Sequence, residues 1–79
     1  MGIAKTEAEL ADRASRFLKA ELKRADVTYE ELAERLKAHG FAETKASISN
    51  KLARATVPAS FFLACLAALE LEGIRLEDI

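Results

Sequence analysis

Apolar residues recur at intervals of three and four in three stretches of the chain, which is the spacing of one face of an α-helix, and a fourth stretch is apolar almost throughout. The first stretch predicts a helix over residues 7–25, with Leu10, Leu18 and Leu22 on its apolar face. Thr6 and Glu9 have the spacing of a capping box, in which each side chain accepts a hydrogen bond from the other residue's backbone N–H. The first helix is therefore expected to begin directly after Thr6.

The second stretch has clear start and stop signals. Thr28 and Glu31 repeat the capping-box spacing and predict a helix from Thr28 to His39. Gly40 suits the left-handed backbone conformation that often follows the last turn of a helix. Phe41 is then expected to fold back against the end of this helix.

The third stretch predicts a short helix over residues 44–54 with Thr44 as its cap. Ile48 and Leu52 lie four residues apart and are expected to face the interior. The polar and cationic residues of this helix fall largely on its other faces: Lys45, Ser49, Asn50 and Arg54.

The fourth helix is predicted to start near Pro58 or Ser60 and to end at Gly73. It is apolar on nearly every side, which indicates burial on more than one face, partly against a second copy of the chain. No alternating pattern predicts a strand. We therefore expect an all-α fold, a compact four- to five-helix domain that takes up residues 1–79.

Positive charge is concentrated around the third helix. Residues 35–54 carry five basic residues and one acidic residue, Glu43, whereas the whole chain has a net charge of −1. Two helices joined by a turn, the second of them cationic, are a common way to place a helix in a DNA groove. The charge distribution therefore indicates that this surface meets nucleic acid.

Signals for catalysis, metal or cofactor binding and membrane insertion are absent from the sequence. His39 is the single histidine, Cys65 the single cysteine, and the three glycines are too scattered for a phosphate-binding loop. The longest apolar run is about thirteen residues, whereas a membrane helix needs about twenty. We expect a cytoplasmic protein that is not an enzyme, with no cofactor, metal, membrane or small-molecule substrate.

The residues of the third helix suggest individual roles in DNA binding. Asn50 is suited to paired hydrogen bonds with adenine and Lys45 to the acceptors of guanine. Lys51, Arg54 and the Thr44 cap with its helix N-terminus suit phosphates. Two small hydroxyl residues, which let the backbone approach DNA and donate to phosphate or base, complete the set: Ser47 and Ser49.

Several segments resemble a known family of DNA-binding domains. Residues 28–36, TYEELAERL, resemble the second helix of lambda-repressor/Cro-like helix-turn-helix domains of the xenobiotic-response-element type. Residues 44–49 resemble the start of their recognition helix, and residues 73–79 resemble their closing segment. More narrowly, residues 48–52 followed by residues 61–63 look like a small bacterial family of unknown function within that fold group.

The resemblance covers roughly residues 13–79 and implies five short helices, DNA binding as a dimer and a regulatory role. The link between Leu36 and Ile48 is about five residues longer than the usual spacing of these domains. Where the family often has a phosphate-contacting glutamine, this chain has Tyr29. A tyrosine hydroxyl can make the same contact, and the ring can equally pack against the protein.

The sequence therefore predicts a sequence-specific DNA-binding regulator of transcription, a homodimer on double-stranded DNA with residues 44–54 as its recognition helix. The alternative is a helical protein-interaction module that keeps the fold without binding DNA. The lengthened link, the apolar fourth helix and the acidic termini favour this alternative.

Overall fold

The fold is all-α, as predicted. The structure, a computed structural model, describes residues 6–79; residues 1–5 of the predicted domain lie outside the described residues. Four helices follow one another as α1 (Glu7–Ala25), α2 (Tyr29–Lys37), α3 (Lys45–Arg54) and α4 (Ala59–Ala68), and a short 3-10 turn spans Leu76–Asp78. Within residues 6–79 there is no β-strand.

The first helix begins and ends where the sequence predicts. Thr6 and Glu9 form the expected capping box, with the backbone N–H of each residue donating to the side chain of the other at 3.1 Å. Asp26 then takes a left-handed conformation, with φ of 58°, and ends the helix. Leu18 and Leu22 are buried as expected, whereas Leu10, on the same predicted apolar face, is 45% exposed.

The second helix ends two residues before the predicted His39, and only one of the two hydrogen bonds of the predicted capping box forms at its start. Thr28 accepts a hydrogen bond from the backbone N–H of Glu31, but the Glu31 carboxylate pairs with Arg35 instead of returning to the cap. Gly40 has the predicted left-handed conformation, with φ of 83°. The backbone N–H of Phe41 donates to the carbonyl of Leu36 at 3.1 Å, which is the bond of a Schellman motif.

The fourth helix ends at Ala68, so the prediction that it continues to Gly73 was wrong. Glu70 takes the left-handed conformation, with φ of 61°, that we expected of a glycine. The Leu71 N–H donates to the Leu66 carbonyl, and Arg35 donates to the carbonyl of Ala68 at 3.0 Å. These bonds satisfy the end of the helix, and Leu71 turns back to pack on the core.

The core lies where α2 packs against α3 and α4, and where α1 packs against the same two helices. The largest fully buried side chains come from all four helices: Leu18, Leu32, Leu36, Ile48, Leu52, Phe61 and Cys65. Because α3 is held between α1 and α2, one face of it is fixed toward the interior. Among the described helices, none alone is long and apolar enough to cross a membrane. Only α3 and α4 taken together have that length and composition, and they are bent by 120° relative to each other.

Candidate nucleic-acid interface

The orientation of α3 is set by its inward residues. Ile48 and Leu52 are both fully buried in the core, as the spacing predicts. From α1, the hydroxyl of Ser15, which is only 2% exposed, donates to the backbone carbonyl of Leu52. This contact ties α3 to α1 by a buried hydrogen bond, so the helix has one defined outward face.

The outward face of α3 consists of two rows of residues spaced by four, and all six of its residues are exposed: Lys45, Ala46, Ser49, Asn50, Ala53 and Arg54. Its centre is small, with Ala46, Ser49 and Ala53, and Lys45 and Arg54 lie at its two ends. A helix of this length extends about 15 Å. Such a helix, without bulky residues along its middle, can enter a major groove about 12 Å wide.

The polar side chains of this outward face are available for binding. Within residues 6–79, Lys45, Ser49, Asn50 and Arg54 take part in none of the side-chain hydrogen bonds or ion pairs. Two of the four are cations and one is an amide that both donates and accepts. The structure thus brings together four of the residues predicted to contact DNA on one uncommitted surface.

The start of α3 has the predicted cap, but Ser47 is used inside the protein. Thr44 accepts from the backbone N–H of Ser47 at 3.0 Å, and the Ser47 hydroxyl accepts from the backbone N–H of Thr44 at 2.8 Å. The same hydroxyl donates to the Glu43 carboxylate at 2.6 Å. Thr44 is exposed, whereas Ser47 lies half-buried on the flank of the helix and outside its outward face.

Lys51 also has a partner inside the protein, Glu43, which is not among the site residues predicted from the sequence. Its ammonium donates to both oxygens of Glu43 at 3.0 Å and lies 5.4 Å from the ring centroid of Phe61. The side chains of Glu43 and Lys51 are only 11% and 29% exposed. We call Glu43, Ser47 and Lys51 the Glu43 cluster.

A sequence signal for the Glu43 cluster does exist. Its three members are spaced by four residues, so they form a line along the flank of α3. Side chains on a helix lean toward its N-terminus, so Lys51 leans along this line toward Ser47 and Glu43. The signal was easy to miss because Glu43 precedes the cap and belongs to the link between α2 and α3.

Pairing reduces the positive charge that residues 35–54 offer to a ligand. Arg35 pairs with Glu31 at 2.7 Å, and Lys37 pairs with Glu34 at 2.9 Å. Lys51 is held by Glu43. Among the described residues, the cations of this segment that lack an acidic partner are Lys45 and Arg54, and both lie on the outward face of α3.

Tyr29, the remaining predicted contact residue, opens α2. It is half-buried and packs against the hydrophobic core. Of the two alternatives that the sequence left open, packing is therefore the one that the structure shows. Glu30 and Glu31 follow directly in the first turn of α2, which makes that end of the helix acidic.

Another concave surface lies between α1 and the C-terminal segment, a cleft of about 690 Å³ with Phe17 and Ile74 among its lining residues. Its three arginines are occupied: Arg13 donates to the backbone oxygen of Ile79, and the other two form ion pairs within α1. In residues 6–79 no group of three or more histidine, cysteine, aspartate or glutamate side chains could hold a metal ion.

The single cysteine lies in the core beneath the Glu43 cluster. Burial raises the pKa of the Cys65 thiol to about 12, and the negative charge of Glu43 acts in the same direction. The thiol is fully buried and stays protonated at neutral pH. Since the thiolate is the reactive form, Cys65 is an apolar packing residue in the folded protein.

Comparison with known proteins gives a family and no function. Residues 10–74 match the family described as a domain of unknown function, DUF6471. The match spans most of the chain, so the protein belongs to this family, in agreement with the predicted membership of a family of unknown function. No curated protein and no solved structure matches the chain significantly.

Proposed function

We propose that this DUF6471 member is a double-stranded-DNA-binding regulator of transcription, a homodimer that inserts the outward face of α3 into the major groove. The observation that carries the proposal is this face itself, whose six residues are all exposed and which is small at its centre, cationic at both ends and without internal side-chain partners. The order α2, link, α3 supports a helix-turn-helix arrangement of the lambda-repressor/Cro-like kind. On this proposal the protein works in the cytoplasm by binding alone, without catalysis or a cofactor.

Each residue of the outward face has a role that follows from its chemistry. The side-chain amide of Asn50 can donate from its nitrogen to adenine N7 and accept at its oxygen from the adenine N6 amino group, so both hydrogen bonds lie on one base edge. Lys45, at the start of the helix, is placed to reach guanine acceptors, and Ser49 lies one turn after it. Arg54, at the far end, and the exposed N-terminus of α3 at Thr44 serve phosphates.

Dimerisation follows from the size of the reading surface. A helix of ten residues presents only a few side chains to base edges, so one copy reads few base pairs. Two copies related by two-fold symmetry double this number and read half-sites about 34 Å apart. A chain of this length also buries only about 60–65% of its unfolded surface, so a partner copy would add stability.

The test is selection of bound sequences from a random pool of duplex DNA, followed by affinity measurements on the enriched site. Asn50→Ala should relax the base preference at one position of each half-site, at a cost of about 1–3 kcal/mol for the cognate base. Lys45→Ala should weaken binding both through guanine and through charge. Lys19→Ala, in an exposed lysine of α1, is the matched control and should leave binding unchanged.

The protein-interaction alternative has an observation in its favour. Leu63 on α4 and Leu76 in the 3-10 turn are large apolar side chains that are 62% and 60% exposed. Exposed apolar residues of this kind are common singly and mark binding surfaces when they are contiguous. Absence of any mobility shift of random duplex DNA at low salt and micromolar protein would favour this alternative over DNA binding.

A further inference from the structure

We infer that Glu43 is a specificity-determining residue that withholds Lys51 from DNA phosphates and thereby limits sequence-independent binding. The inference rests on the proposed DNA-binding function and concerns how the same surface is controlled. It follows from three observations: the geometry of the Glu43 cluster, the position of Lys51 beside the outward face of α3, and the contrast with Lys45.

The carboxylate of Glu43 holds Lys51 more completely than an ordinary surface pair would. Both of its oxygens accept from the ammonium at 3.0 Å, and one of them also accepts from the Ser47 hydroxyl at 2.6 Å. The Phe61 ring, 5.4 Å from the ammonium, supports the cation from a further side. Because the Glu43 side chain is only 11% exposed, solvent and salt screen this pair less than an exposed one.

Lys51 lies at the edge of the proposed interface. It precedes Arg54 by three residues, so the two side chains are neighbours on the helix surface. A helix docked in the major groove has a phosphate backbone along each flank. Without its carboxylate partner, the long and flexible side chain of Lys51 could turn toward that backbone and act as one more phosphate contact.

An added phosphate contact matters most for DNA of random sequence. Neutralising phosphates supplies essentially all of sequence-independent affinity, whereas base contacts supply the discrimination. A carboxylate that occupies one cation in each protomer therefore lowers binding to random DNA without touching a base. Glu43 thus acts on specificity through Lys51, and we expect no contact between Glu43 and DNA.

The experiment compares wild type with Glu43→Gln, Lys51→Ala and the double variant on a random duplex over a series of salt concentrations. Glutamine keeps the volume of Glu43 and its acceptor for Ser47 while removing the charge. Two released lysines per dimer should steepen the slope of log K against log[salt] by about 1.8 and tighten binding roughly tenfold at low salt. Lys51→Ala alone should weaken binding, because it leaves the Glu43 carboxylate without its cation, and the double variant, which removes both charges, should return to the wild-type value.

Glu34→Gln is the matched control. It makes the same change of net charge and also releases a lysine, Lys37. That pair is exposed on α2, so Lys37 is not enclosed by its neighbours in the wild-type protein. The inference is overturned if Glu43→Gln, melting like wild type, leaves binding to random DNA unchanged or weaker. It is equally overturned if the increase survives in the double variant or is matched by Glu34→Gln.

A measurement without DNA separates this inference from the proposed function. In the wild-type protein, acylation of lysine amines followed by mass spectrometry should modify Lys51 much more slowly than Lys45, and Glu43→Gln should remove that difference. If Lys51 and Lys45 are acylated at equal rates in the wild-type protein, Glu43 does not hold Lys51, and the inference fails whatever the protein binds. Slow modification of Lys51 together with no affinity for any DNA would refute the DNA-binding proposal and, with it, the role of Glu43 in specificity.

Discussion

The salt dependence of DNA binding should be set by Lys45 and Arg54, with little contribution from the other three cations of residues 35–54. Arg35, Lys37 and Lys51 are each paired with a carboxylate at 2.7–3.0 Å. On a duplex of random sequence, where we expect Lys45 as well as Arg54 to contact phosphate, two unpaired cations per protomer give four phosphate contacts in a dimer, and hence a slope of log K against log[salt] of about −3.6. If all ten cations of a dimer contacted phosphate, the slope would be about −9.

The assay is fluorescence anisotropy of a labelled duplex, titrated with protein at several salt concentrations. Arg54→Ala removes two contacts per dimer and should reduce the slope by about 1.8, to roughly half of the wild-type value. Lys45→Ala should do the same to the extent that Lys45 contacts phosphate in the complex. Lys37→Ala, which removes a paired cation, should leave the slope unchanged.

Two results would refute the reasoning. A wild-type slope near −9 would mean that DNA opens the ion pairs of α2 and the Glu43 cluster, so that pairing in the unbound protein does not predict the contacts. A wild-type slope near −3.6 that Arg54→Ala leaves unchanged would mean that other residues bind the phosphates. The outward face of α3 would then not be the interface.

Three further predictions concern stability. Ser15→Ala should lower the free energy of unfolding by about 1–2 kcal/mol in urea denaturation, because it removes the buried donor to the Leu52 carbonyl; an unchanged value would make that bond irrelevant. Ala55→Gly should stabilise the folded protein by about 0.5–1 kcal/mol, and Gly40→Ala should destabilise it by a similar amount, because both residues have positive φ. No atom obstructs a Cβ at position 40, so the cost there comes from the backbone conformation alone. Effects of the same sign in the two variants would contradict this reasoning. Because the folded pKa of Cys65 is raised to about 12, stability should fall as pH rises from 9 toward 12, by at most about 1.4 kcal/mol per pH unit, and Cys65→Ala should show a shallower decline in alkaline urea titrations.

Much of the fold follows from local signals in the sequence. The limits of α1 and α3 were predicted to within a residue, because a capping threonine opens each of them and the apolar spacing is regular. The end of α4 was wrong by five residues. Its stop depends on Arg35 from another helix and on Leu71 returning to the core, and neither contact leaves a signal near Glu70.

The candidate site was predictable as far as helix periodicity reaches. Once Ile48 and Leu52 were taken as inward, the outward position of Lys45, Asn50 and Arg54 followed from their spacing alone. Charge counting, by contrast, overestimated the unpaired positive charge of residues 35–54. It gave the same weight to Lys51 as to Lys45, because formal charge carries no information on which partner the folded chain brings to each cation.

The long link between α2 and α3 need not weaken the presentation of α3, because most of its residues are held. Gly40 makes the left-handed turn that closes α2, and Phe41 packs on the core with its ring 6.4 Å from that of Phe61. Glu43 binds the flank of α3, and Thr44 caps its first turn. The link is therefore fixed by contacts at its α2 end and at its α3 end. Contacts of this kind can position α3 as firmly as a short turn would. The extra residues also supply what a short turn could not, a carboxylate placed beside α3. On the proposed function, the longer link that departs from the helix-turn-helix resemblance is therefore also the segment that supplies the carboxylate paired with Lys51.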